Sequence, residues 1–290
     1  MLLLLGQAAV TGLLTGAVYA LVAVGLTLIF GVMRVVNFAH GALLMLGMYA
    51  AYWSHVLLGV NPYLSLPVTF ILLFALGAVM QRGLLQPILA APQHNQLLLT
   101  LGVMLIIENL ALFLWSPDFR TLRIGWLEGA VPLGGLLLNK PRLIAFVGAL
   151  VLTAALYLFL TFTELGRAIR ATAQDRTGAS LVGVNVTRIN TLTFGLGAAC
   201  AGVAGALIAP YLYTAPQVGH VFLLYGFVVV VLGGLGSFTG ALAGGLLIGI
   251  GESLGAALLP GSLKELVVYI VFILVLLFRP TGLFGVPHRG

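Results

Sequence analysis

Gly6-Gln-Ala-Ala-Val-Thr-Gly-Leu-Leu-Thr-Gly-Ala-Val-Tyr-Ala-Leu-Val-Ala-Val-Gly-Leu-Thr-Leu-Ile-Phe30 runs for 25 residues with no charged side chain. A helix rises about 1.5 Å per residue, so about 20 apolar residues cross the roughly 30 Å hydrocarbon core of a bilayer. The stretch is long enough to cross and is apolar on every face, whereas a barrel strand alternates over about ten residues. Eight further apolar runs follow, at 41–58, 64–80, 97–115, 143–160, 190–209, 221–233, 242–258 and 266–278. Pro62, Pro87, Pro92, Pro117, Pro141, Pro210, Pro216, Pro260 and Pro280 flank the runs, where a missing N–H costs little. The pattern predicts an all-α, polytopic transmembrane bundle of eight to nine helices.

Composition agrees. Of 290 residues 61% are hydrophobic and 7% charged, with a mean hydropathy of +1.17, while a soluble domain carries about 25% charged residues. One membrane domain over residues 1–290 is expected, at about 20 residues per crossing, with membrane lipid as its surroundings. The net charge of +6 does not point to nucleic acid, because the arginines sit in short gaps between apolar runs rather than on one basic face. The single cysteine, Cys200, excludes an intrachain disulfide. The start has no basic segment before Arg34 and reads as a retained first helix.

The basic residues predict orientation. With the first run entering from outside, the inward gaps hold Arg34, Arg82, Arg167, Arg170, Arg176, Arg188, Arg279 and Arg289. The outward gaps hold Arg120, Arg123, Lys140, Arg142 and Lys264, diluted by Asp118, Glu128 and Glu265. Cytoplasmic loops collect Lys and Arg, so the N-terminus is expected outside and the C-terminus inside. Gly12 and Gly16, Gly236 and Gly240, Gly240 and Gly244, Gly245 and Gly249, and Gly251 and Gly255 each form a G-x-x-x-G. Such pairs read as close helix packing ahead of a glycine-lined path.

The longest polar inward gap, 163–185, reads TELGRAIRATAQDRTGASLVGVN. It holds Arg167, Arg170, Asp175 and Arg176, so it does not span. Leu165, Ile169 and Ala173, then Ala179, Leu181 and Val182, give a short amphipathic pattern interrupted by Gly178. Arg167 and Arg170 fall on one helix face. A surface helix that presents cations and small residues to a partner fits this pattern, as does a solvated loop rich in inward arginines.

This segment and the following Thr191–Ala206 stretch, TLTFGLGAACAGVAGA, resemble the permeases of branched-chain amino-acid ABC importers. The residues that carry the resemblance in the gap are Leu165, Gly166, Arg167, Ala168, Arg170, Ala171, Ala173, Gln174, Asp175, Ala179, Gly183 and Asn185. Asn37-Phe-Ala-His-Gly41, Met45-Leu-Gly47 with Tyr49, and Gly233-Gly-Leu-Gly-Ser-Phe-Thr-Gly-Ala241 are similar to the shorter of that family's two permease types. Ala42 departs from it, standing where the family often has an acid.

The resemblance implies a permease subunit working by alternating access, in a bacterial plasma (inner) membrane. It implies a second permease, two cytoplasmic ATPase subunits and a periplasmic or lipid-anchored solute-binding protein as partners. Residues 163–188 become the coupling segment, with Leu165, Gly166, Arg167, Arg170, Ala173, Asp175, Ala179 and Gly183 as ATPase-coupling residues. The expected solutes are branched-chain or other hydrophobic amino acids. Urea, short amides or aromatic acids are the alternatives, and an autonomous secondary transporter or channel is a further one. No phosphate-loop motif, H-E-x-x-H or Ser/His/Asp set occurs in the sequence, so no enzyme activity, metal or cofactor is expected.

Polar residues inside or between the runs mark the candidate translocation path. Glu108, Asn109 and Glu252 lie within apolar runs, where an acid costs about 2.5–3.5 kcal/mol on insertion scales and usually faces the bundle interior, lining a wet path or gate or else making an interhelical hydrogen bond or a contact with a second permease. Asn37, His40 and Gly41 break the chain between the first two runs. Irregular backbone at membrane depth must be covered by protein or line a cavity. The segment 233–240, with Gly236, reads as the matching break in the second half.

Overall fold

The computed structural model describes residues 1–122, 124–127, 129–260, 263–279 and 281–285. Arg123, Glu128 and Arg289, which enter the charge count, lie outside the described residues. Every expected apolar run is a helix: α1 Leu2–Met33, α2 His40–Leu58, α3 Leu66–Met80, α4 Gln93–Trp115 and α5 Lys140–Phe162. After the short α6 Glu164–Gln174 and α7 Arg176–Leu181 come α8 Val186–Ile208, α9 Gly219–Gly233, α10 Phe238–Leu258 and α11 Lys264–Phe278. Seven of these are long and apolar enough to cross a membrane, α3 with its continuation to Ile88, while α9 and α11 are shorter. Several helices begin before their apolar runs because a polar side chain caps them. Asn139, Asn185 and Ser237 each accept a hydrogen bond from the backbone N–H three residues on.

Helices α1 and α8 form the enclosed centre, and α3, α4, α5 and α10 lie around them. Small residues set the distances. A methyl group at Gly12 would sit 2.5 Å from the Gly249 carbonyl oxygen, and one at Gly16 would sit 2.8 Å from that of Gly245. Thus α1 and α10 pack antiparallel, backbone to backbone. Gly47 faces Gly202 where α2 crosses α8, and Gly202 also faces Leu73. Leu73 opposite Gly202, Gly77 opposite Ala198 and Gln81 bonded to Thr191 set α3 antiparallel to α8.

Two helices start inside the bundle. His40, the first residue of α2, has its Nε2 3.0 Å from the Val22 carbonyl oxygen. Val22 lies eleven residues before the end of α1, so α2 begins about 16 Å short of that end. Helix α9 follows the irregular segment 209–218, in which Thr214 exchanges two backbone hydrogen bonds with Arg120. Gly219 at its start packs directly on Gly41. From this junction the two helices diverge. Tyr49 of α2 stacks on Trp115 at the end of α4, and Gly226 of α9 meets Val22 and Leu26 of α1.

The counterpart of the 34–39 break is therefore 209–218, not 233–240. The latter contains the tight turn between α9 and α10, with Gly234 at φ 103° and Gly236 at φ 85° and Gly233 against Gly240. The all-α expectation also needs one addition, an antiparallel hairpin of β1 Ala130–Leu133 and β2 Leu136–Asn139. Gly134 and Gly135 both take positive φ, as the tight two-residue hairpin turn requires. The hairpin docks on α1, where the Gln7 side chain donates to the Leu137 carbonyl (2.7 Å) and accepts from its N–H (2.9 Å).

Candidate functional site

Local hydrogen bonding builds the α6–α7 segment. Thr163 Oγ1 accepts from Gly166 N at 3.0 Å and starts α6. Asp175 Oδ1 accepts from Thr177 N at 2.9 Å and Gly178 N at 3.0 Å, starting α7. Gly183 at φ 87° ends it, with Val184 N bonded to Ala179 O and Gly183 N to Ser180 O. This double closure requires a left-handed residue, which glycine adopts without a Cβ penalty. Gly166, Ile169 and Thr172 form the buried stripe of α6. A Cβ at Gly166 would collide with the Phe159 and Leu160 carbonyls, so this glycine seats α6 against α5.

The eight expected coupling residues thus divide. Gly166 and Ala179 are buried, and Asp175 and Gly183 shape the backbone. Leu165, Arg167, Arg170 and Ala173 are exposed. Arg167 pairs with Glu164 at 3.8 Å, a contact between exposed groups, and Arg170 donates to the Thr161 carbonyl at 3.4 Å. The site list drawn from the sequence omitted Leu181 and Val182, which are 82% and 80% exposed beside Gly183. Their apolar character was visible in the sequence, but their exposure depends on where α7 ends.

The candidate path residues occupy four places. Asn37, His40 and Gly41 are closed into the junction of α2 and α9: Asn37 Oδ1 accepts from Ala39 N at 3.1 Å, and His40 is fully buried. Thr100 of α4 secures the same break, accepting from Phe38 N and donating to the Val36 carbonyl, each at 3.2 Å. Gly236 sits exposed in the α9–α10 turn.

Glu108 is buried on α4, with its Oε1 3.1 Å from His220 Nε2. His220 is the second residue of α9, so its helix N-terminus favours the nearby carboxylate. The His220 side chain is 46% exposed. The adjacent Asn109 is exposed too, its Nδ2 donating to the Leu105 carbonyl at 2.8 Å. Polar groups therefore reach the outside of the chain well within an apolar helix.

Glu252 of α10 lies elsewhere, on the side of α9 that faces α1. Tyr19 donates to its Oε2 at 2.6 Å and Tyr225 to its Oε1 at 3.4 Å. It lines a cavity of about 230 Å³ whose walls also carry Arg142 and Tyr211. The Arg142 guanidinium lies 5.6 Å above the Tyr211 ring centroid. Burial holds the Tyr211 phenol well above its usual range, against the opposite pull of Arg142. In the sequence Arg142 reads only as one of the basic residues of an outward gap, and nothing marks Tyr19 within the first apolar run.

Comparison with known proteins concerns the chain as a whole. A family model described as "Branched-chain amino acid transport system / permease component" matches residues 8–276. The high-affinity branched-chain amino acid transport system permease protein BraD of Pseudomonas aeruginosa is 33% identical over 97% of this chain and 96% of its own length. The permease protein LivH of Escherichia coli K12 is 32% identical over 96% of this chain and 94% of its own length. A probable LivH of Methanocaldococcus jannaschii is 31% identical, covering 93% and 89% respectively. No solved structure matches.

Proposed function

The chain belongs to the family of branched-chain amino acid transport permease components, and from this premise we propose that it moves branched-chain or other hydrophobic amino acids inward. It is a permease subunit of an ABC importer and a multi-pass protein of the bacterial inner membrane. In the proposed machine a second permease completes the pore, two ATPase subunits sit at the α6–α7 end, and a binding protein delivers the solute at the hairpin end.

The observation that carries the coupling role is the α6–α7 surface itself. Its buried stripe anchors it to α5, α1 and α8, while Arg167, Ala171, Leu181 and Val182 face outward from it. Exposed apolar side chains beside an arginine on a polar, non-spanning segment need a protein cover. A groove in each ATPase supplies that cover. Its movement on ATP binding would be transmitted through Gly166 to α5 and through Ile169 to the central helices.

The path is proposed to run beside α9. Two interrupted helices that meet at mid-depth, one from each half, are the recurrent frame of a translocation site. Exposed Asn109 and His220 next to Glu108 favour the α4–α9 face as the contact with the second permease, since polar groups at that depth must meet protein or water.

Co-expression with candidate partner genes tests the assembly. The chain is expected to co-purify with a second permease and two ATPases, and ATP-independent amino-acid flux in liposomes by this polypeptide alone would refute the reading. Solute-stimulated ATP hydrolysis should fall at least about tenfold in Leu181→Asp/Val182→Asp, because a carboxylate buried at a protein contact costs several kcal/mol.

A further inference from the structure

The end of α5 that meets α6 leaves a groove against α1 and α10. Nearest α6, a cavity of about 180 Å³ is bordered by Leu28 and Val32 of α1, Tyr157 of α5 and Phe238 of α10, with Arg170 and Ala173 of α6 at one side. A second cavity, of about 390 Å³, continues between α5 and α10 from Tyr157 and Phe238 to Leu150 and Leu242. Tyr157 and Phe238 border both, with ring centroids 5.7 Å apart, so the two spaces adjoin. Thr161 and Leu150, the α5 residues at the two extremes of the groove, are eleven residues and about 16 Å apart. One leaflet holds about half of the roughly 30 Å hydrocarbon core, so the groove runs the depth of a single leaflet. Arg170 is exposed at its α6 end and spends one N–H on the Thr161 carbonyl, at 3.4 Å. A guanidinium has five such donors, and among the described residues no carboxylate lies within ion-pair distance of this one.

We propose that this groove holds an anionic phospholipid of the cytoplasmic leaflet, its phosphate on Arg170 and one acyl chain between α5 and α10. The assignment rests on the reading that puts the α6–α7 end in the cytoplasm. The lining changes along the groove as a lipid does, from a guanidinium at the α6 end through two aromatic rings to Leu150 and Leu242. A planar guanidinium grips a phosphate through two parallel hydrogen bonds. A basic pocket between spanning helices at the cytoplasmic side suits an anionic headgroup, and that leaflet is the anionic one. Deeper in, a hydrocarbon chain gives the apolar walls the contacts that an empty space forfeits. A partner helix is about 10–12 Å across with its side chains and lies over such a groove, whereas an acyl chain enters it. The same geometry separates Arg170 and Ala173, which border the groove, from Arg167, Leu181 and Val182, which face outward from α6–α7. Arg170 thus serves the membrane rather than the ATPase.

The test adds phosphatidylglycerol or phosphatidylcholine, with identical acyl chains of which one carries a diazirine, to the purified complex of permeases and ATPases in detergent. After irradiation the labelled peptides are mapped by mass spectrometry. Label is expected within residues 150–157 and 238–242. Phosphatidylglycerol should half-saturate it at a concentration at least about fivefold below that of phosphatidylcholine, the gain from one arginine at an anionic headgroup. Arg170→Gln should remove that preference and keep the label in the groove. Ala154→Trp, which puts a ring into the groove beside Tyr157, should cut labelling by both lipids. The preference is a ratio within one preparation, so partial loss of folded protein does not imitate its disappearance. Groove peptides without label would mean that a partner helix covers them, and an unchanged preference in Arg170→Gln would put the headgroup elsewhere. Either result overturns the proposal, as does full labelling of Ala154→Trp. Labelling needs no transport, so these results leave the permease reading standing; that reading falls instead if the complete importer moves no amino acid.

Discussion

Glycine at position 245 and glycine at position 251 occupy one helix and have opposite surroundings. A Cβ at Gly245 would lie 2.5 Å from the Ala20 backbone, whereas nothing lies within 4 Å of one at Gly251. Gly245→Ala should destabilise the protein by about 1–3 kcal/mol through overpacking of α1 on α10. Gly251→Ala should be neutral or stabilising by up to about 1 kcal/mol, because glycine costs that much in a helix. Thermal unfolding of the purified complex separates the two. Both residues stand in G-x-x-x-G patterns, and spacing does not tell them apart, since only the partner helix decides which glycine is needed. The same holds for Asp175, whose conspicuous charge in an amphipathic stretch turns out to cap α7. Asn caps as well as Asp, and Ala loses about 1 kcal/mol. Asp175→Asn should thus keep stimulated ATPase activity, and Asp175→Ala should lower it.

Among the elements, hydropathy alone located all nine apolar helices, because a 15- to 32-residue apolar segment has no other way to bury its backbone polar groups in lipid. Helix ends shifted by a few residues where side-chain caps extended them. The pairing of breaks was less legible. Gly-rich 233–240 looked like the interruption, yet glycine there serves the positive φ of a tight turn and the contact of Gly233 with Gly240. The segment 209–218 has no sequence signal beyond Pro210 and Pro216 flanking the apolar runs, and only the meeting of Gly41 with Gly219 gives it depth. That junction predicts that Gly219→Val, which forces a side chain into the Gly41 backbone, abolishes transport or assembly, while Gly83→Ala, in open space, preserves both. Uptake of labelled leucine by cells that carry the complete importer reads the difference. The β-hairpin had a local signal, Gly134-Gly135 between paired apolar residues, in a gap otherwise read only for its charges.

At the scale of the molecule, antiparallel α1 and α10, the α3–α8 register and the position of α6–α7 put the hairpin and the α6–α7 surface at opposite ends of the bundle. Asp118→Cys and Arg176→Cys in a Cys200→Ala background should therefore react with an impermeant reagent from opposite faces of the membrane, Asp118 from outside. The resemblance in the 163–185 segment carried the functional reading further than composition did, because composition stops at a membrane bundle. What it did not reveal is which of the expected coupling residues are exposed and which only shape the helix, a distinction set by burial. The central claim is that this bundle is driven through α6–α7 by a separate ATPase. Its most direct test is ATP hydrolysis by the reconstituted importer, with and without loaded binding protein, in wild type and in Leu181→Asp/Val182→Asp. The account predicts stimulation by loaded binding protein in the wild type and its loss in the double variant, with permease pairing intact. Full stimulation in the double variant would contradict it.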